Sequence, residues 1–205
     1  MKILMILAHP DDEVIFAWPV LQKIGCELSL LTLADNHAKR GTAPIKVLEE
    51  VCKINNIRLI NRPRLDTNFS RLPPRFEKVL LEHAIKSFRQ SIQYSLDLIK
   101  PDFVFTHNPM GEYGHGDHKF IHSLVSQFPV AMCFTDICSH NQCHLSTNKI
   151  PKLYLDYLYK NATSMEKCSL NIQWYDKMKT IYEKNKAWTW GGNDVTPNCN
   201  LYFFA

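Results

Sequence analysis

Ile3-Leu4-Met5-Ile6-Leu7-Ala8-His9-Pro10-Asp11-Asp12-Glu13 passes without a break from apolar residues to a knot of ionisable ones. An unbroken apolar run of this length, closed by a proline, reads as a strand buried on both faces. A second run, Phe103-Val104-Phe105-Thr106, leads toward Gly114-His115-Gly116-Asp117-His118. Two strand exits that each present His and Asp can build one site at the carboxyl edge of a sheet. That edge is where open α/β sheets place their ligands.

The rest of the chain fits the same plan. Strands are predicted over 2–8, 27–33, 57–60, 102–106 and 130–134. Helices are predicted over 14–24 (with Pro19 in its first turn or at a kink), 44–54, 76–99 and 117–127. Pro44 suits a first helical position. Phe76, Val79, Leu80, Ala84, Ile85, Phe88 and Ile92 recur at helical spacing. Beyond residue 136 the pattern weakens, to helices near 151–160 and 171–186 and an aromatic, irregular tail over 188–205. Alternating strands and helices predict an α/β fold with a mostly parallel, helix-covered central sheet. Right-handed crossovers then bring every strand's C-terminal end to one edge.

With 205 residues, 45% hydrophobic and 21% charged, the chain is expected to form a single domain, 1–205. A net charge of +4 without a dense Lys/Arg stripe does not point to nucleic acid. It suits a small anionic substrate. The first apolar run is too short to span a bilayer, and acids follow where a signal peptide would carry small residues. A cytoplasmic protein without an integral membrane segment is expected. Seven cysteines, an odd count, fit reduced thiols better than a disulfide framework.

A catalytic zinc needs three protein ligands and an open fourth position. His9 and Asp12 lie three residues apart across a turn, close enough to share an ion, and His118 is the best third ligand. Asp11, beside the metal but not needed as a ligand, is placed to take a proton from water. His115 is a candidate to stabilise an oxyanion or protonate the leaving group, and Asp117 to orient an imidazole. Fe²⁺ suits the same ligands. The plain alternative makes the acids helix N-terminal residues and caps, and the histidines solvated. It explains each residue separately; a shared metal explains both clusters at once.

The pair His9-Pro10-Asp11-Asp12-Glu13 and His115-Gly116-Asp117-His118 resembles the LmbE-like, or PIG-L, N-acetylglucosaminyl deacetylases, over roughly residues 1–128. The resemblance implies a Rossmann-like three-layer sandwich with one Zn²⁺. It also implies hydrolysis of an N-acetyl group from an amino sugar or its conjugate, giving acetate and a free amine. Carried over, the ligands fall on His9, Asp12 and His118, the base on Asp11 and the second catalytic histidine on His115. Tyr113 matches a possible oxyanion donor, and Asp117 the carboxylate that pairs with that histidine. Where the family has Arg in an Arg-x-x-Glu, this chain has Lys46, followed by Glu49, so a bidentate contact is lost. Ala34-Asp35-Asn36 replaces a Gly-rich turn. Asp66 is the match for a carboxylate that binds a substrate hydroxyl.

Other features carry less. Arg62, Arg64, Arg71 and Arg75 form a basic loop suited to phosphate, or simply a solvated one; Arg64 is the substrate-binding candidate. Cys133, Cys138, His140, Cys143 and His144 are spaced too widely for a structural zinc and read as incidental. Tyr182, Trp188 and Trp190 are candidates for a sugar-stacking wall, though such aromatics more often close a core. Two rivals remain: a metal-dependent amidase on a larger amide such as a thiol conjugate, and a non-catalytic nucleotide-binding module. Against the latter, Asp11 and Asp12 would repel a pyrophosphate.

Overall fold

The opening apolar run is strand β1 (Lys2–Leu7), and every residue from Ile3 to Ala8 is fully buried. Leu4, Ile6 and Ala8 enter one apolar cluster; Ile3, Met5 and Leu7 enter another. Cover on both faces is the reason the sequence runs apolar without alternation. The computed structural model describes residues 1–34, 43–62, 74–137, 150–189, 195 and 197–205.

After β1 come α1 (Asp12–Ile15), α2 (Trp18–Leu21), β2 (Glu27–Thr32), α3 (Ala43–Ile54), β3 (Arg58–Leu59) and α4 (Pro74–Ile99). They are followed by β4 (Phe103–Thr106), α5 (Gly111–Gly114), α6 (Gly116–Val125), β5 (Met132–Thr135) and α7 (Ile150–Asn161). The chain ends with β6 (Ser164–Ser169), α8 (Ile172–Lys184) and β7 (Asn198–Phe204). The sheet order is β3-β2-β1-β4-β5-β7-β6. The first five strands pair in parallel; β7 runs antiparallel to β5 and β6 antiparallel to β7. Strand order reverses at β1, between β2 and β4, and a crevice opens at such a switch point.

Helices cover both faces, as the three-layer expectation requires. Buried residues of α4 (Ala84, Phe88, Ile92) and α6 (Ile121, Leu124, Val125) pack on one face. On the other, α3 lays down its stripe of Pro44, Val47, Leu48, Val51 and Cys52. There α8 adds Tyr175, Met178 and Tyr182, packed with Val14, Ile15 and Trp18. Among the described residues no helix is long and apolar enough to cross a membrane.

Two readings are corrected. The predicted helix 14–24 is two short ones, because Phe16 closes α1 and Pro19 sits in the first turn of α2, where its missing N–H costs nothing. The tail is not irregular throughout: 198–204 is β7, inserted between β5 and β6. Strand β6 was also not expected; its Ser-Met-Glu-Lys-Cys-Ser sequence is almost wholly exposed and carries no apolar pattern.

Candidate metal centre and active site

β1 and β4 end side by side, and the residues just past them meet. Ala8 N–H donates to His107 Nε2 at 3.0 Å, which ties the β1 exit to the β4 exit. Asn108 ties β4 to the β5 exit, donating to the carbonyls of Thr135 at 3.3 Å and Ile137 at 2.8 Å. The loop then turns tightly at Gly111 (φ +65°), where an added Cβ would lie 2.9 Å from Lys119 Cγ. That turn swings Glu112 inward, fully buried. His115 caps α6, its Nδ1 accepting from Asp117 N–H at 3.2 Å.

At the centre stands Asp12, 3% exposed. Its Oδ2 accepts from His9 N–H at 2.7 Å and lies 3.4 Å from His9 Nδ1, while Oδ1 lies 3.4 Å from His118 Nε2. Each of these two imidazoles is backed by another carboxylate. His9 Nε2 is 2.9 Å from Asp117 Oδ2, and His118 Nδ1 is 2.7 Å from Glu112 Oε2. In a neutral imidazole the backing carboxylate takes the N–H, which leaves the opposite ring nitrogen, on the Asp12 side, as the one that can bind a cation or a proton; the tautomers follow from this hydrogen-bond network. His118 Nε2 is buried and makes no hydrogen bond. A fully buried nitrogen without a hydrogen bond, beside a carboxylate and a second imidazole, is a donor set suited to a divalent cation.

Of the expected ligands, His9 and His118 each lie 3.4 Å from Asp12. Among the described residues the groups close enough to share an ion are His9 with His115 and His118, and Asp12 with His107 and His118, so the expected trio is split between the two. Ring centroids of His115 and His118 are 4.5 Å apart, and those of His9 and His115 are 5.0 Å apart. His107 supports the cluster: Nε2 accepts from Ala8 N–H and lies 3.3 Å from Asp12 Oδ2, and Nδ1 is 3.1 Å from Glu112 Oε2. The sequence reading paired Asp117 with His115; its carboxylate instead backs His9, because α6 carries it across the crevice. Tyr113 stacks on Phe16, with its ring 5.5 Å from both His115 and His118.

The electrostatics separate the acids. Burial raises Asp12, but His118 and His107 outweigh it and hold the carboxyl well below its usual range. Burial, then the charge on Asp12, pushes Asp11 well above that range, only partly offset by hydrogen bonds from Thr189. Burial also lifts Glu13 to about 7 although Tyr182 hydroxyl donates to it. Glu112 is carried down to about 2, its burial outweighed by the neighbouring imidazoles. Burial opposes a charge on His9, but Asp117 and Asp12 hold it up at about 10, so a cation there competes with a proton. His115 goes the other way, down to about 4, through burial and the imidazoles of His118 and His9. The neighbouring carboxyls of Asp11 and Asp12 are thus shifted in opposite directions.

A protein-family model described as PIG-L, GlcNAc-PI de-N-acetylase, matches residues 4–128, more than half of the sequence and all of this cluster. The chain belongs to the PIG-L family. Solved deacetylases share its fold. One from teicoplanin biosynthesis, in complex with bog, aligns over 99% of this chain and 97% of its own at 13% identity and TM-score 0.63. The zinc-inhibited form of a teicoplanin deacetylase aligns over 99% and 97% at 12% identity and TM-score 0.64. The pseudoaglycone deacetylase Dbv21 of the antimicrobial reagent A40926 aligns over 98% and 95% at 14% identity and TM-score 0.60. Comparison with curated proteins gives no match.

Other expected residues of this PIG-L family chain are less engaged. Lys46 stands on the exposed face of α3, and among the described residues no hydrogen bond or ion pair links it to the cluster. Arg64, Asp66, Asp35, Asn36, Cys138, His140, Cys143, His144 and Trp190 lie outside the described residues. Cys133 is a buried core residue of β5, and Tyr182 and Trp188 pack in the apolar cluster under α1, not as an open wall. Sequence reasoning missed His107, Glu112, Glu13 and Thr189. His107 had a usable signal, since it directly follows an apolar strand as His9 nearly does; Thr189 had none.

Proposed function

We propose that the chain is a metal-dependent deacetylase that hydrolyses the N-acetyl group of an amino sugar, or of a conjugate of one, to acetate and a free amine. The observation that carries this reading is the pair of carboxylate-backed imidazoles, His9 and His118, facing Asp12 with a buried nitrogen that makes no hydrogen bond. His9, Asp12 and His118 are the residues that would hold the ion, Zn²⁺ first and Fe²⁺ as the alternative. Bound there, it supplies Lewis acidity to the acetyl carbonyl and to water.

The chain's own groups do the rest. Asp11, with its raised carboxyl, takes the proton of the attacking water and returns it to the departing nitrogen. Because Nδ1 of His115 accepts a backbone N–H, its proton sits on Nε2, and that N–H is the donor to the developing oxyanion. Tyr113 is a second donor from the same side. Asp117 and Glu112 keep the two ligand imidazoles oriented. Lys46, with Arg64 and Asp66, is proposed to contact the substrate.

The test is a panel of N-acetylhexosamine compounds incubated with the purified protein, scoring acetate and new primary amine, with added Zn²⁺ and after chelation. Release that depends on the metal and is lost in Asp11→Asn is expected. An Asp11→Asn variant as active as the parent would remove the assigned base. Tight NAD binding without any bound metal would support the nucleotide-binding rival instead.

A further inference from the structure

Asp11 is gripped at both ends. Its backbone sits at φ +96°, a conformation that is strained for any residue but glycine, and its N–H donates to Glu13 Oε2 at 3.0 Å. Its side-chain Oδ2 accepts two hydrogen bonds from one residue, Thr189: the backbone N–H at 2.7 Å and the hydroxyl at 2.6 Å. The other oxygen, Oδ1, is buried and makes no hydrogen bond. Asp11 itself is 1% exposed.

The delivery of Thr189 is built into α8. The helix starts on Asn171, whose side chain accepts from Trp174 N–H at 3.1 Å. It stops in a Schellman turn: Ala187 N–H bonds the carbonyl of Tyr182 and Lys186 N–H that of Glu183, both at 2.9 Å, with Lys186 at φ +54°. In its last turn Tyr182 donates its hydroxyl to Glu13 Oε1 at 2.5 Å. The helix end is thus pinned beside Asp11, and the turn after it lays Thr189 against the carboxylate.

We propose that Thr189 is a positioning residue for the reaction: by holding Oδ2 it fixes the Asp11 side chain so that Oδ1 is the oxygen turned to the reacting water. The proposal rests on the reading of Asp11 as the base. Thr189 lies outside the residues that the family model matches, 4–128, so this support comes from the C-terminal third of the chain. A carboxylate held by one oxygen keeps a single rotamer, and catalytic groups must be held within about 0.5 Å of their productive position.

Thr189→Val keeps the shape and the backbone N–H but removes the hydroxyl; Thr189→Ser keeps both donors. In the zinc-loaded enzyme, Thr189→Val is expected to lower kcat by about tenfold or more with KM little changed, and Thr189→Ser to recover most of that loss. Zinc affinity, measured by chelator competition, is expected to match the parent in both variants. A crystal structure of metal-free Thr189→Val is expected to show the Asp11 carboxylate turned or split between rotamers. If Thr189→Val does not fold, Thr189→Ala takes its place in the same measurements. A kcat within twofold of the parent, an equal loss in Val and Ser variants, a change confined to KM, or lost zinc would each overturn the proposal. Asp11→Asn separates the two readings: if it is inactive while Thr189→Val is normal, the positioning role fails and the base stands; if Asp11→Asn is active, both fail.

Discussion

Asp117 lies two residues from His115 in the chain, yet its carboxylate bonds His9 at 2.9 Å across the crevice. It fixes the tautomer that turns His9 Nδ1 toward Asp12. Asp117→Ala is therefore expected to weaken metal binding by about 10–100-fold, read by competition with a chromophoric chelator; unchanged affinity would show that His9 needs no backing. His122 offers a pH prediction. Its Nδ1 donates to the His107 carbonyl at 2.7 Å, and burial pushes its pKa below the ordinary 6.5. The folded protein thus binds this proton less tightly than the unfolded chain. The associated stability is complete above pH 6.5 and is lost as pH falls below it. His122→Gln is expected to lose less of its urea midpoint than the parent between about pH 7.5 and about pH 5.5; equal losses would refute the assignment. His9, Asp12 and His118 were legible in the sequence because each sits just past an apolar run or at a helix start. Glu112 was not, since only the left-handed turn at Gly111 aims it inward.

Strand β7 shows where the pattern of residues runs out. Asn198, Cys199 and Asn200 precede a mixed apolar stretch, and β6 beside it is exposed and polar. Neither carries a period that would distinguish it from loop. What makes them strands is the free edge of β5, which offers unpaired N–H and C=O groups that β7 satisfies. Glu166 and Lys167 in β6 then end the sheet with charged residues, which blunts the new edge. Leu201 in β7 is fully buried against Ile3, Phe105 and their neighbours. Leu201→Ala is expected to cost about 2–5 kcal/mol in chemical denaturation. A loss below about 1 kcal/mol would mean that β7 contributes little to the core. The short α1 and α2 follow a similar logic: a local helical signal exists, but Pro19 starts a fresh helix within it.

Among the described residues the buried carboxylates and imidazoles gather at one crevice, with apolar layers on both sides of the sheet beneath. A cation bound by His9, Asp12 and His118 would join the β1 exit to α6, so it should stabilise the folded chain. At a free zinc concentration of about 100 times Kd the gain is about 2.7 kcal/mol, which for a chain of this size raises Tm by about 5–10 °C. Differential scanning fluorimetry with zinc and with chelator checks this. The shift is expected to vanish in His118→Ala, and its persistence there would place the ion elsewhere. The order of residues was enough to determine the five parallel strands, the α/β layering and the two exits where His and Asp gather, because apolar periods and breaks are local properties of the chain. Only the packed fold decided which carboxylate backs which imidazole, that His107 lies between Ala8 and Glu112, and that Thr189 meets Asp11 from 178 residues away. Those contacts depend on distances between elements remote in sequence, and no local pattern encodes them.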